Sequence, residues 1–290
     1  MEIFLAPNWH SIDIEQYAAK YDDSFHLGLT KDSFLTNYEN EIWDIKSRPL
    51  IVADDSGEYI SGAAIAYRKL TLGEKMCDAA VMCGMWTPEQ HRGRGFMRKM
   101  ISKLLEEDEK FGVHYMCGFG LMTNVSARFE RGAGAFMHDV HYAFGGEIYI
   151  DELLPKVEET KIDVSQILPR VNSSFSYTAE QFAHQYELNS AKTFAIDSDI
   201  AIIQETYNSS KVNLLTHKNL SAFERNIKAL IKWNRENNQK PLFLYTSDTC
   251  ELEILKKYSF DIKDGYFSVL ESNSTHRFEG NLNVLMGDRL

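Results

Sequence analysis

Two hydrophobic periods alternate along the first half of the chain. Apolar residues recur at every second position over short runs, which marks strands, and at every third and fourth over one longer run, which marks a helix. Residues 49–55 (PLIVADD) and 59–70 (YISGAAIAYRKL) read as strands joined by the turn DSGE, and 77–86 (CDAAVMCGMW) as a third strand. Phe96, Met97, Met100, Ile101, Leu104 and Leu105 predict a helix over 96–111, with Gly112 as its stop. Residues 113–123 read as a strand, and 125–134 as a short helix with Thr123 or Asn124 at its cap. Residues 136–146 (FMHDVHYAFGG) read as a strand or hairpin arm. This order predicts an α/β fold, a mixed α+β sheet with antiparallel early strands and a helical crossover.

The second half repeats the order. Residues 211–217 and 241–247 are strand-like, 220–237 and 248–258 helical, and 260–272 reads as a hairpin. Pro155, Pro169 and the polar run VNSSFS place a linker over 151–176, between a domain at 1–150 and one at 177–290. The second domain is either a degenerate copy of the first or an unrelated α/β unit.

Composition narrows the partners. The 290 residues carry a formal net charge of −11, which argues against a nucleic-acid or anionic-membrane binder. It suits either a small cationic partner or a merely solvated acidic surface. No run approaches the roughly 18 apolar residues of a membrane helix, and the N-terminus does not read as a signal peptide. The four cysteines lack CxxC spacing, so reduced thiols in the cytoplasm and no metal site are expected.

The segment TPEQHRGRGFMRKMISKLLEE (87–107) breaks local rules. Gly93 and Gly95 stand at a helix entrance, where glycine weakens a helix by about 1 kcal/mol relative to alanine. Arg92, Arg94, Arg98 and Lys99 crowd the N-terminal end, while Glu106 to Glu109 crowd the other, against the preference of the helix dipole. A bound polyanion on the free N–H groups explains both features; a solvated turn is the plain alternative. The Gly-Lys-Ser/Thr ending of a P-loop is absent, and Arg98 stands where a dinucleotide fingerprint needs glycine.

EQHRGRGFMRKMISKLL resembles the acyl-CoA-binding motif of the GNAT superfamily of N-acetyltransferases, Gln/Arg-x-x-Gly-x-Gly/Ala. Gln90, Gly93 and Gly95 match in one frame, whereas the frame starting at Arg92 leaves Met97 where glycine or alanine is usual. NVSARFERGAGAF resembles the second signature through Asn124 and Ala127, ending at Ala135–Phe136. The resemblance spans residues 45 to 145 and suggests a tandem form. It implies that backbone amides of His91, Arg92, Gly93, Arg94, Gly95, Phe96 and Met97 hold the pyrophosphate of acetyl-CoA or another acyl-CoA. Gln90 and Asn124 would join that site, and Met85 and Trp86 would lie at the thioester.

An amine acceptor must lose its proton before attack, since at pH 7 only about one lysine-like amine in two thousand is neutral. Asp78 is the candidate base, with His138 and His141 as alternatives. The tyrosine that protonates the leaving thiolate in many relatives is replaced by Arg131, which leaves Tyr142 and Tyr67 as candidates. The expected activity is N-acyl transfer to a small amine such as an amino sugar, by a monomer or homodimer. The alternative is an acyl-CoA-binding module without catalysis.

Overall fold

The chain was described through a computed structural model, which defines residues 1–25, 30–39, 42–146, 148–161, 163–171, 173–187, 191–206, 208–237, 240–272 and 282–288. Two compact units emerge. The first comprises Met1–Gly120, Asn124–Met137 and the described residues within Ser268–Gly280. The second comprises Leu121–Thr123, His138–Phe267 and the described residues within Asn281–Leu290.

In the first unit, β1 (Glu2–Leu5), β2 (Arg48–Ala53), β3 (Tyr59–Leu72) and β4 (Lys75–Trp86) pair antiparallel in that order, with α1 (Ile14–Phe25) and α2 (Lys31–Tyr38) between β1 and β2. The β2–β3 turn forms because the Asp54 carboxylate accepts from Ser56 N–H, Ser56 O–H and Glu58 N–H. Helix α3 (Phe96–Glu109) then crosses over to β5 (Tyr115–Leu121), which runs parallel to β4, and α4 (Val125–Gly132) follows. The periodic residues Phe96, Met100, Ile101 and Leu104 are buried against Ile65, Ala80 and Met116. Each such side chain contributes about 1.5–3 kcal/mol. Helix α1 lies against β3 and β4, where Trp9, Tyr17, Tyr21, Phe34, Tyr38 and Trp86 form edge-on and tilted aromatic contacts.

The second unit repeats these pairings. It takes in most of β6 (Phe136–Gly145) and contains β7 (Val157–Glu159), α5 (Val164–Ile167), β8 (Phe175–Ser176), α6 (Ala179–Glu187), β9 (Lys192–Ile196), β10 (Asp199–Glu205) and β11 (Ser210–Leu215). After them come α7 (Leu220–Asn237), β12 (Leu242–Thr246), α8 (Thr249–Lys257) and the start of β13 (Asp261–Glu271). Strands β9, β10 and β11 are antiparallel, β12 is parallel to β11, and β6 is antiparallel to β12. Antiparallel entry, helical crossover and parallel exit thus occur twice, once around α3 and once around α7. Both units have the predicted fold class.

Two sequence expectations differ from the structure. Residues 261–271 form one strand rather than a hairpin, although Asp264–Gly265 resembles a turn. Residues 265–270 are buried without a break, and an extended strand accommodates such a run where a turn would interrupt it. Residues 151–176 carry β7, α5 and β8 inside the second unit, and the units exchange chain elsewhere. From His138 onward, β6 belongs to the second unit, and from Ser268 onward β13 belongs to the first. There Ser272 N–H donates to His114 C=O at 2.8 Å and Tyr115 O–H to Glu271 at 3.5 Å.

Among the described residues, no helix is long and apolar enough to cross a membrane.

Candidate functional site

Strands β4 and β5 pair from Ala79↔Tyr115 to Met82↔Gly118 and no further, although β4 runs on to Trp86 and β5 to Leu121. The two strands therefore part after Met82 and Gly118. On its other edge β4 is bulged. Gly62 pairs with Trp86 and Ala64 with Cys83, so Gly84 and Met85 together face Ala63. A bulge leaves the extra residue out of the ladder and bends the strand. Gly84 adopts φ +51°, and a Cβ there would fall 2.4 Å from the Tyr21 ring, so glycine is required on both counts.

The end of β4 is pinned by Ser61, whose hydroxyl donates to Trp86 C=O at 2.9 Å and lies 2.8 Å from the Thr87 hydroxyl. One 3-10 turn, Glu89–His91, leads to Gly93 at φ +76° and Gly95 at φ +74°. A Cβ at either glycine would meet nothing within 4 Å. These glycines thus serve the left-handed backbone, and the space beside them is open. Gly95 is the N-cap residue of α3 with no side-chain cap, and no acid lies in the first turn. The first helical bond runs from Lys99 N–H to Gly95 C=O at 3.3 Å. Phe96, Met97 and Arg98 N–H precede it and have no acceptor within the helix.

Positive charge surrounds these donors. Arg92 Nε donates to Thr87 C=O at 3.1 Å and Arg94 to Gln90 C=O at 3.4 Å, which folds both guanidinium groups back over the turn. A groove beside Gly95 is lined by Arg98, Lys99, Lys103 and Glu106, with Lys103 held by Glu107 at 2.8 Å. Arg98, Lys99, the helix N–H groups without an intrahelical acceptor and the helix dipole make this end of α3 electropositive.

Of the residues singled out in sequence, Met85, Trp86, Gln90, His91, Arg92, Gly93, Arg94, Gly95, Phe96 and Met97 all lie on the stretch from the bulge to the first turn of α3. Asn124 is the exposed N-cap residue of α4, yet its side chain makes no cap hydrogen bond. Asp78 is placed unfavourably for a base. Its carboxylate holds Lys69 Nζ at 2.7 Å across the β3–β4 ladder and raises the pKa of that amine. It also precedes Met82 by four residues, about 13 Å along a strand, at the closed end of the β4–β5 pair. Tyr67 O–H donates to buried Asp108 at 2.7 Å beneath α3. Tyr142 belongs to the second unit, buried beside Tyr245 and Phe243. His141 faces Asp264 at 3.2 Å, and burial lowers the pKa of His138.

One residue was missed in sequence. Glu130 on α4 is only 6% exposed, accepts from the Ser268 hydroxyl, and lies 3.5 Å from where a Gly118 Cβ would be. It therefore places a carboxylate where β4 and β5 part. The available signal was an acid three residues after Ala127, on the same face of a short helix. Among the described residues, no cluster of His, Cys, Asp and Glu is arranged to hold a metal ion.

Residues 10–133 match the family of GNAT acetyltransferase domains. The chain thus carries a GNAT acetyltransferase domain, and its whole length has the fold of GNAT proteins. A tandem GNAT protein from the clavulanic acid biosynthesis pathway superposes with a TM-score of 0.64 at 9% identity, over 95% of this chain and 100% of that one. A Pyrococcus horikoshii protein provisionally classed as an acetyltransferase gives 0.66 at 13% identity, over 100% and 94%. A GCN5-related N-acetyltransferase of Sphaerobacter thermophilus gives 0.59 at 12%, over 93% and 96%. No curated protein matches the sequence.

Proposed function

We propose that the protein is an acyl-CoA-dependent N-acyltransferase that moves an acetyl group to a primary amine of a small molecule. One observation carries the reading: the opening between β4 and β5 leads directly to an uncapped helix N-terminus ringed by arginine and lysine. That combination fits an acyl-CoA, whose pyrophosphate takes the helix N–H groups and whose narrow arm needs a gap between strands. Acetyl-CoA supplies an activated carbonyl carbon.

The chain's own residues supply the rest. Phe96, Met97 and Arg98 N–H bind phosphate oxygen, and Arg98 and Lys99 add charge along the groove. The bulge at Gly84–Met85 turns strand N–H groups out of the ladder, where they favour negative charge developing on a carbonyl oxygen. The amine nitrogen bonds to carbon as the carbon–sulfur bond breaks, so one proton leaves the amine and one reaches the thiolate. Glu130, at the head of the opening, is the group placed to handle a proton. Asp78, held by Lys69, is not.

The tyrosine position taken by Arg131 and the engagement of Asp78 favour a second reading, a domain that binds acyl-CoA without turnover. Calorimetric titration of acetyl-CoA into the full chain, with Gly93→Glu beside it, tests both readings. Micromolar binding lost in Gly93→Glu supports the site, and thiol release with an amine panel then separates enzyme from binder. No binding to the intact chain overturns both.

A further inference from the structure

The second unit repeats the parted strands but not the phosphate cradle. Strands β11 and β12 pair only at Ser210↔Leu242 and Lys211↔Phe243, then separate. The β10–β11 ladder is bulged at the equivalent place, since Ile202 pairs with Leu214 and Ile203 with Val212, which leaves Asn213 extra. The helix that follows, unlike α3, carries a side-chain cap. Asn219 caps α7 by accepting from Ala222 N–H at 2.9 Å, and no glycine lies between Leu215 and Leu220. The opening itself persists as a cavity of about 260 Å³, closed on one side by residues 283–286.

Its lining is unlike an apolar core. Glu251 accepts from the Thr246 hydroxyl at 2.6 Å and holds His217 at 2.7 Å. Asp248 caps α8 from the rim, accepting from Cys250 and Glu251 N–H, and Arg170 bonds to Ser198 C=O. Asn213 is 3% exposed and donates Nδ2–H to Tyr186 C=O at 3.2 Å, which fixes its orientation. Its Oδ1 is buried without a partner. Buried carbonyl oxygens almost always have a donor, so this one calls for a group with N–H or O–H. The other lining groups select among donors. Asp248 and Glu251 stand against Arg170 at the rim and against His217, whose pKa the Glu251 hydrogen bond raises. Once that imidazole is neutral the carboxylates are in excess and favour a donor that carries positive charge.

We infer that the opening between β11 and β12 binds a small molecule bearing a protonated amine, with Asn213 Oδ1 and the Glu251 carboxylate as its acceptors. This site is separate from the acyl-donor site and does not depend on that reading. It gives the second unit a ligand of its own, in the part of the fold that no longer has a cradle for phosphates.

The test uses the full chain with n-butylammonium chloride as probe, followed by saturation-transfer NMR and calorimetry at constant ionic strength. The neutral isostere 1-butanol and the anion butyrate serve as controls. The variants are Glu251→Gln, which keeps shape and removes charge, and Asn213→Leu, which removes the oxygen. Gly93→Glu reports on the first unit. The expected result is millimolar binding of the ammonium probe alone, weakened at least tenfold in Glu251→Gln and unchanged in Gly93→Glu. Asn213→Leu should weaken it likewise; if that variant does not fold, Glu251→Gln decides alone. Three outcomes overturn the inference: no binding of the probe to the wild-type chain, equal binding of 1-butanol, or binding that survives Glu251→Gln. The last would place the probe elsewhere, such as at the acceptor side of the first unit.

Discussion

Tyr21 and Gly84 lie so close that a Cβ built on the glycine would stand 2.4 Å from the tyrosine ring. Helix α1 therefore seats directly on the β4 bulge, and the bulge can exist only with glycine at φ +51°. Gly84→Ala combines backbone strain with overpacking, each about 1–3 kcal/mol. We expect a loss of about 3 kcal/mol in urea unfolding. Adding Tyr21→Leu should recover the steric part and leave the strain. No loss in the single variant would mean that the bulge relaxes.

The groove beside Gly95 makes a separate prediction. Arg98 and Lys99 are exposed, so either charge alone is worth at most about 1 kcal/mol. Arg98→Ala combined with Lys99→Ala should weaken acetyl-CoA binding about tenfold in calorimetry and flatten its salt dependence. Circular dichroism should stay unchanged, since neither side chain packs in the core. Unaltered affinity would remove the groove from the site.

Glu130→Gln should lower turnover about a hundredfold while leaving acetyl-CoA affinity within twofold. The amide preserves volume and can still meet the Ser268 hydroxyl, so stability should change little. Equal loss of binding and turnover would make Glu130 a packing residue.

Asp108 gives a signed pH effect. Burial raises its carboxyl from 3.8 to about 6, partly offset by the Tyr67 hydrogen bond and the Arg48 charge. Between about pH 4 and 6 the folded state binds more protons than the unfolded one. This group's contribution to stability therefore falls as pH rises through that window and stays lower above it, by about 3 kcal/mol. Asp108→Asn should remain a partner for Tyr67 and remove that slope. Denaturant midpoints of the two proteins should diverge from pH 4 to 6 and run parallel above. Divergence in the opposite direction would refute the assignment.

The elements around α3 were legible because each residue there obeys one period. Phe96, Met100, Ile101 and Leu104 announce a face, and Gly112 announces its end. The turn before α3 stood out for the opposite reason, since Gly93, Gly95 and the arginines break the local rules of a helix entrance. Glu130 was hidden, because a lone acid in a short helix reads as solvated until β5 is seen against it. Asp78 misled, because proximity in sequence to the turn says nothing about which end of β4 opens. The boundary at 151–176 followed prolines and polar runs, whereas pairing follows strands. Nothing in VHYAFG announces that it pairs with LFLYT, about a hundred residues later.

That exchange of strands governs the order of events during synthesis. The first unit begins at the first residue, yet its sheet is not complete until Glu271 has been made. About 135 residues separate Met137 from Ser272, which at ribosomal rates of about 5–20 residues per second amounts to roughly 7–27 s. Throughout that interval β5 has an open edge as the nascent chain lengthens. The newborn unit must therefore wait, partly assembled, for a strand made about 135 residues after Met137.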